Sequence, residues 1–195
     1  MRIVFFGPEG SGKSTQGKML AQKLNLPYVA SGDIVRWAAA NDPGMMGDIC
    51  REALETGHYV PDSEMFVLWK RRLKSDDLQS GWVIDGFPRN LDQARFLDEK
   101  LDKYNQKLDA VIFLDAPDKV VIERLLKRGR RSPDGSLHDS LDKIKSRLAI
   151  YHQSEDKVID FYRQKGVLIT VDATKPIDDV ADQIWQALKN KGLVS

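Results

Sequence analysis

The 195-residue chain has one cysteine, Cys50, so it can form neither an internal disulfide nor a cysteine-rich zinc site. It has no apolar run approaching the roughly 20 residues that a membrane-spanning helix needs. It has no excess of either charge: 30 Lys and Arg stand against 29 Asp and Glu, so no global field points to nucleic acid or an anionic membrane. Any basic site must be local. It has no internal repeat and no long polar tract, which excludes fibrous and fully disordered chains. Met1-Arg2 runs directly into an apolar stretch, without the pattern of a signal peptide. These absences predict a soluble cytoplasmic protein of a reducing compartment. With 42% hydrophobic residues, one domain can bury one good core.

What is present is an alternation. Apolar runs at Ile3–Phe6, Tyr28–Ala30, Trp82–Asp85, Ala110–Asp115 and Val167–Val171 are each followed by polar sequence of helical period. That alternation predicts five parallel strands with crossover helices, a doubly wound α/β core. Gly and Pro stand at the carboxyl ends of strands one, three and four, as Gly7-Pro8, Gly86-Phe87-Pro88 and Ala116-Pro117, where open α/β sheets place their ligands. Residues 32–81 are longer than one crossover needs and read as several helices. Residues 129–139 read as a short flap. The expected layout is one domain with a core of residues 1–31, 82–128 and 140–195 and two covers, 32–81 and 129–139.

The loop after the first strand is GPEGSGKSTQG. It matches G-x-x-x-x-G-K-[ST] through Gly7, Gly12, Lys13 and Ser14, with the strand before and the helix after that a P-loop requires. Bare glycine backbone turns N–H groups toward a phosphate, the helix adds its positive end, and Lys13 supplies charge for the outer phosphates. The ligand implied is a nucleotide polyphosphate. Ser14 or Thr15 can hold Mg²⁺ through a hard oxygen, and Asp85, ending a buried strand, can hold it through water. Arg89, in Asp85-Gly86-Phe87-Pro88-Arg89, points to a second phosphate nearby.

GPEGSGKSTQ, Ala30 to Arg36 (ASGDIVR), Gly57 to Asp62 (GHYVPD), DGFPR followed by Gln93, and Arg124 to Gly129 (RLLKRG) together resemble the adenylate kinases, in order and at fitting spacing. The resemblance continues through Arg147-Leu148 and Tyr151 to Val171-Asp172-Ala173. It implies a P-loop NTPase-like fold with a helical insert for the nucleoside monophosphate (32–81) and a short lid (129–139). The implied reaction is ATP + AMP ⇌ 2 ADP with Mg²⁺. Two closing covers on one chain, with no exposed apolar stripe in the sequence, lead to the expectation of a monomer. Carried over position by position, Gly10, Ser11, Gly12, Lys13, Ser14, Thr15, Arg124 and Arg128 would bind ATP. Ser31, Arg36, Tyr59, Val60, Gly86, Arg89, Gln93 and Arg147 would bind AMP, with Arg36 and Arg89 on its phosphate and Gln93 on the adenine edge. Lys13, Arg89, Arg128 and Arg147 would carry transfer. Ser14, Asp33 and Asp85 would order Mg²⁺ and its water.

Two positions depart from the family pattern. Ser14 replaces the usual glycine of G-K-G-T. In the lid, where short-lid members read Gly-Arg-x-Asp-Asp, this chain has Gly135-Ser136-Leu137-His138-Asp139, so the phosphate-binding arginine becomes Ser136. Arg130 or Arg131 is expected to take its place. The three histidines lack metal-ligand spacing, which predicts no zinc in the lid. Trp37, Trp69, Trp82 and Trp185 are expected on core or partly buried helix faces. Two other readings stay open. One is a pyrimidine monophosphate (UMP/CMP) kinase, against which Gln93 and Ser31 argue. The other is a regulatory protein that binds nucleotide with little turnover.

Overall fold

The computed structural model describes residues 1–131, 135, 137 and 139–195. Its sheet is built from β1 (Arg2–Phe6), β2 (Tyr28–Ala30), β3 (Trp82–Asp85), β4 (Ala110–Asp115) and β5 (Leu168–Asp172) in the order β2-β3-β1-β4-β5. All four pairings are parallel, and β1 is central, with Phe5 opposite Asp85 on one side and Ile112 on the other. The five strands fall where the apolar runs predict them, with the last displaced by one residue.

The strands read as continuous apolar runs because both faces of the sheet are covered. Side chains alternate across the pleat. Val4, Phe6, Ile84, Val111 and Phe113 enter one core, together with α2 (Ser31–Asn41), α3 (Met45–Thr56), α4 (Asp62–Arg72), α5 (Leu91–Lys103) and α8 (Glu155–Gln164). Ile3, Phe5, Val83, Ile112 and Leu114 enter the other, with α1 (Lys13–Leu24), α6 (Asp118–Arg128), α7 (Leu141–His152) and α9 (Ile177–Asn190). Each fully buried Phe, Leu or Ile contributes about 1.5–3 kcal/mol of transfer free energy.

The long segment between β2 and β3 holds α2, α3, α4 and a short 3-10 turn at Asp76–Leu78. Its helices bury Val35, Ala38, Cys50, Ala53, Leu68 and Trp69 in the same core as Phe6 and Phe87, so the segment packs as part of the fold. Trp69 and Trp82 are buried, as the sequence predicts, whereas Trp37 is 52% exposed and lies beneath the Arg71 guanidinium. Between α6 and α7 the chain turns back through an isolated antiparallel bridge of Arg131 with Leu137. Ser136 and His138 lie outside the described residues. Among the described residues, no helix is long and apolar enough to cross a membrane.

Candidate active site

The loop between β1 and α1 has the backbone its glycines permit. Gly7, Gly10 and Gly12 take φ of 137°, 91° and 101°, values that L side chains rarely adopt. A Cβ at Gly7 would lie 2.7 Å from the Leu114 carbonyl oxygen, whereas one at Gly12 would meet nothing within 4 Å. Gly12 is thus required by conformation, and it leaves open space before α1. No side chain caps that helix, so its first N–H groups and the positive end of its dipole are left facing the loop. Lys13 Nζ donates to the carbonyls of Gly7 (2.8 Å) and Pro8 (2.7 Å). Burial pulls its ammonium below the ordinary lysine pKa, against the opposing pull of Asp85 and Glu9.

Above this loop, two carboxylates hold three arginines. Asp139, fully buried, accepts from Arg128 Nε (2.8 Å) and Nη2 (3.0 Å), from Arg147 Nη2 (3.1 Å) and from the Arg130 backbone N–H (3.0 Å). Glu9, inside the P-loop, pairs through Oε2 with Arg147 Nε at 2.6 Å, and through Oε1 with Arg130 Nη2 at 3.1 Å and Arg128 Nη2 at 3.3 Å. Burial alone would raise the pKa of both acids, but the surrounding cations outweigh it, and both carboxyls stay below the ordinary range. Arg131 turns instead to its own loop, where Nη1 donates to the Gly135 carbonyl at 2.8 Å.

The other half of the site lies at the end of β3. Arg89 is held by a carbonyl and an aromatic face: its Nε donates to Gly86 O at 2.9 Å, and its guanidinium lies 3.9 Å from the Tyr59 ring centroid. Gly86 O also accepts from Ser31 Oγ (2.8 Å), which in turn accepts from the Trp69 indole N–H at 3.3 Å. Gln93 is buried, with its Oε1 accepting from the Arg89 backbone N–H (2.8 Å) and its Nε2 donating to Asp62 Oδ1 (2.6 Å). The second oxygen of Asp62 accepts from Asn90 Nδ2 at 2.7 Å, and Asn90 Oδ1 caps α5 by accepting from Gln93 N. Arg36 bends back onto Asp33 at 2.5 Å across an exposed turn of α2.

The two halves share one cleft of about 1020 Å³. It is lined by Gly10 to Thr15, Arg124, Arg128, Arg130 and Arg147 on one side and by Ser31, Arg36, Tyr59, Val60, Gly86, Arg89 and Gln93 on the other. Asp85, buried at the junction, accepts through Oδ2 from Ser14 Oγ (2.6 Å) and Tyr28 OH (2.8 Å). Burial, followed by the negative Asp85, pushes the Tyr28 hydroxyl pKa upward, so the phenol stays a proton donor. Asp33 is the one sequence-predicted site residue that does not line the cleft.

A phosphate loop and a second arginine group facing it across one cleft are the arrangement that the motif spacing anticipates. The family model described as adenylate kinase matches residues 5–167. The chain belongs to the adenylate kinase family. An adenylate kinase of Thermobifida fusca is 38% identical, covering 98% of this chain and 100% of its own length. Those of Streptomyces coelicolor and a Cyanothece strain are 34% and 38% identical, over 97% and 94% of this chain and 99% and 92% of their own lengths.

Within this adenylate kinase framework, sequence reasoning missed Glu9, Asp62 and Asn90. Glu9 was visible only as a variable position of the P-loop motif, although a carboxylate in an anion-binding loop is a local inconsistency of the kind that marks functional positions. Asp62 closes the GHYVPD stretch and Asn90 sits between Arg89 and Gln93, but neither carries a signal of its partner.

Proposed function

We propose that the protein is an adenylate kinase that transfers a phosphoryl group reversibly between ATP and AMP, giving two ADP, with Mg²⁺. The observation that carries the proposal is the meeting of two arginine groups in one cleft, one over the P-loop and one at the end of β3. Phosphoryl transfer asks for two nucleotides in line, neutralised charge and excluded water.

In this reading Lys13 and the α1 N-terminus take the outer phosphates of ATP, and Arg124 and Arg128 hold the same nucleotide from above. Arg36 and Arg89 take the AMP phosphate, and Arg147 lies between donor and acceptor. Planar guanidinium forks suit phosphate oxygens better than a lysine ammonium does. Tyr59 and Val60 wall the AMP base, and Ser31 and Gln93 set its edge. Residues 32–81 and 129–139 act as covers that close over the substrates, which suits a monomer, in the cytoplasm.

The Ser14 hydroxyl and the buried Asp85 carboxylate, in contact at the mouth of the loop, are the hard oxygens Mg²⁺ prefers. They would hold it, directly or through water, while Asp33 remains with Arg36. The ion, when bound, neutralises phosphate charge. The chain's own part is to orient both nucleotides and exclude water.

The test is a coupled assay of ADP formation from Mg-ATP with AMP, CMP, UMP and GMP as separate acceptors, and with Arg89→Ala as control. Turnover with AMP that is lost in the control is expected. Turnover preferring CMP or UMP would instead indicate a pyrimidine monophosphate kinase. Binding of both nucleotides without turnover would indicate a sensor.

A further inference from the structure

Glu9 occupies an unexpected place for a carboxylate. It belongs to the loop whose glycines and lysine serve an anion, yet both of its oxygens face cations. Oε2 takes Arg147 Nε at 2.6 Å and Oε1 takes Arg130 and Arg128 at 3.1 and 3.3 Å. Two of these guanidiniums, Arg128 and Arg147, are ones that the proposed reaction needs on phosphate oxygens. The three come from the end of α6, the chain beyond it and the middle of α7, so one P-loop side chain ties both lid-bearing helices to the loop.

We propose that Glu9 is a resident anion that competes with the ATP polyphosphate for Arg128, Arg130 and Arg147, and so sets the affinity of the site for nucleotide. The inference rests on the reading of this side of the cleft as the ATP phosphate site. Its physical basis is charge exchange. A polyphosphate reaching the arginines must separate them from Glu9, and the Glu9 charge then stands beside the phosphates in a partly water-excluded cleft, where like charges repel more than in bulk water. Neutralising Glu9 removes both obstacles at once. The arginines lose a partner in the free protein, and the phosphates lose a repulsive neighbour in the complex. Asp139 keeps its own bonds to Arg128 and Arg147, so the guanidiniums remain anchored when Glu9 is neutral.

A role in holding the fold alone would act otherwise. Loss of the charge would then loosen the arginines, weaken binding and lower turnover together. A role in orienting the arginines on phosphate would lower kcat and leave binding unchanged or weaker. The competitor role is the one in which the free protein becomes less stable while its affinity for polyphosphate rises.

The experiment is calorimetric titration of the full chain with inorganic tripolyphosphate and with ATP, for wild type, Glu9→Gln and Glu9→Asp, each with the melting temperature of the free protein. For Glu9→Gln, an affinity higher by about threefold to tenfold is expected, with a lower melting temperature and a fall in KM for ATP of similar size. The tightening shrinks as salt rises toward 1 M. Unchanged or weaker tripolyphosphate binding by a folded Glu9→Gln overturns the proposal. If that variant does not fold, Glu9→Asp decides. Its shorter arm cannot span all three arginines, so binding about twofold tighter than wild type supports the proposal and equal or weaker binding overturns it. The two titrations and the melting temperature do not depend on turnover, so failure of the AMP-dependent assay in wild type counts against the proposed reaction and not against this inference.

Discussion

The arginines over the P-loop and Arg89 at the end of β3 are immobilised by different means, while Arg36, the other arginine of the β3 side, is paired with Asp33 on an exposed turn. On the P-loop side, Arg128, Arg130 and Arg147 rest on the carboxylates of Glu9 and Asp139. On the β3 side, Arg89 rests on the neutral Gly86 carbonyl and the face of Tyr59, and no ion pair of Arg89 occurs among the described residues. A carboxylate partner fixes an arginine strongly but must be displaced, or shared, when phosphate arrives. A carbonyl and a ring fix it more weakly and leave its charge available. The charge of the P-loop arginines is thus already committed to carboxylates, whereas that of Arg89 is not.

The sharpest way to break this comparison is at Arg89. Among the described residues it has no ion pair, so Arg89→Ala removes a guanidinium from the cleft without stranding a paired carboxylate. A fall in kcat/KM of about 10²–10³ is expected, with the melting temperature nearly unchanged. Steady-state kinetics and a thermal melt of the same preparation check both halves. A loss below about tenfold would place Arg89 outside the reacting phosphates.

Asp62 tests how the β3 side is held together. Its two oxygens fix Gln93 and Asn90, and it stands at the start of α4 while they flank the start of α5. In Asp62→Asn one oxygen becomes an NH₂ facing another amide donor. Gln93 then loses its fixed orientation beside the Arg89 backbone. The expected result is a KM for AMP higher by about tenfold, a smaller change in kcat, and relaxed preference for AMP over CMP. A KM that rises equally for ATP would show that the effect is global unfolding of the insert and not loss of base selection.

The sheet and the loop were legible in the sequence for one physical reason: each is written in consecutive residues. A strand buried on both faces must be apolar without interruption, as Ala110-Val111-Ile112-Phe113-Leu114 is, and a phosphate loop must space Gly7, Gly12 and Lys13 along one turn of backbone. Glu9, Asp62 and Asn90 were not legible because their meaning lies in partners far along the chain. Arg128 and Arg130 are 119 and 121 residues from Glu9, and Asp62 is 28 and 31 residues from Asn90 and Gln93. The substitution at Ser136 was legible as a departure, but whether Arg130 or Arg131 answers it depends on which way the turn bends.

The turn separates the two candidates. Arg130 enters the charged cluster at Glu9, whereas Arg131 donates to the Gly135 carbonyl of its own loop. Both arginines line the cleft, but of the two it is Arg130 that is paired into the charged cluster over the P-loop. Arg130→Ala should lower kcat/KM by about fivefold to tenfold, while Arg131→Ala stays within about twofold. Equal losses, or a larger loss at Arg131, would mean that the lid refolds around substrate and that Arg130 is merely a counter-ion of Glu9.

The smallest effect concerns the opposite ends of α6 and α7, the two helices that flank residues 129–139. His152, at the end of α7, bridges Asp118 at the start of α6 (2.9 Å) and Glu155 at the start of α8 (2.7 Å), and Tyr151 also donates to Glu155 at 3.1 Å. The bond to Glu155 raises the His152 pKa above its ordinary 6.5, burial opposes it, and Asp118 adds to the rise. A group whose folded pKa is raised stabilises fully below its unfolded value and loses that stabilisation as pH climbs through the folded one. The clamp is therefore complete below about pH 6.5 and absent well above the raised value. The bridge is half exposed, so solvent screening keeps it near the surface-pair range of about 0.2–1 kcal/mol, or about 1–3 °C in melting temperature for a chain of this size. His152→Gln should thus melt lower than wild type at pH 6 by that margin and match it at pH 9. A difference that persists unchanged to pH 9 would show that the imidazole contributes by packing on Tyr151, whose ring lies 5.4 Å away, and that charge has no part in holding the lid helices together.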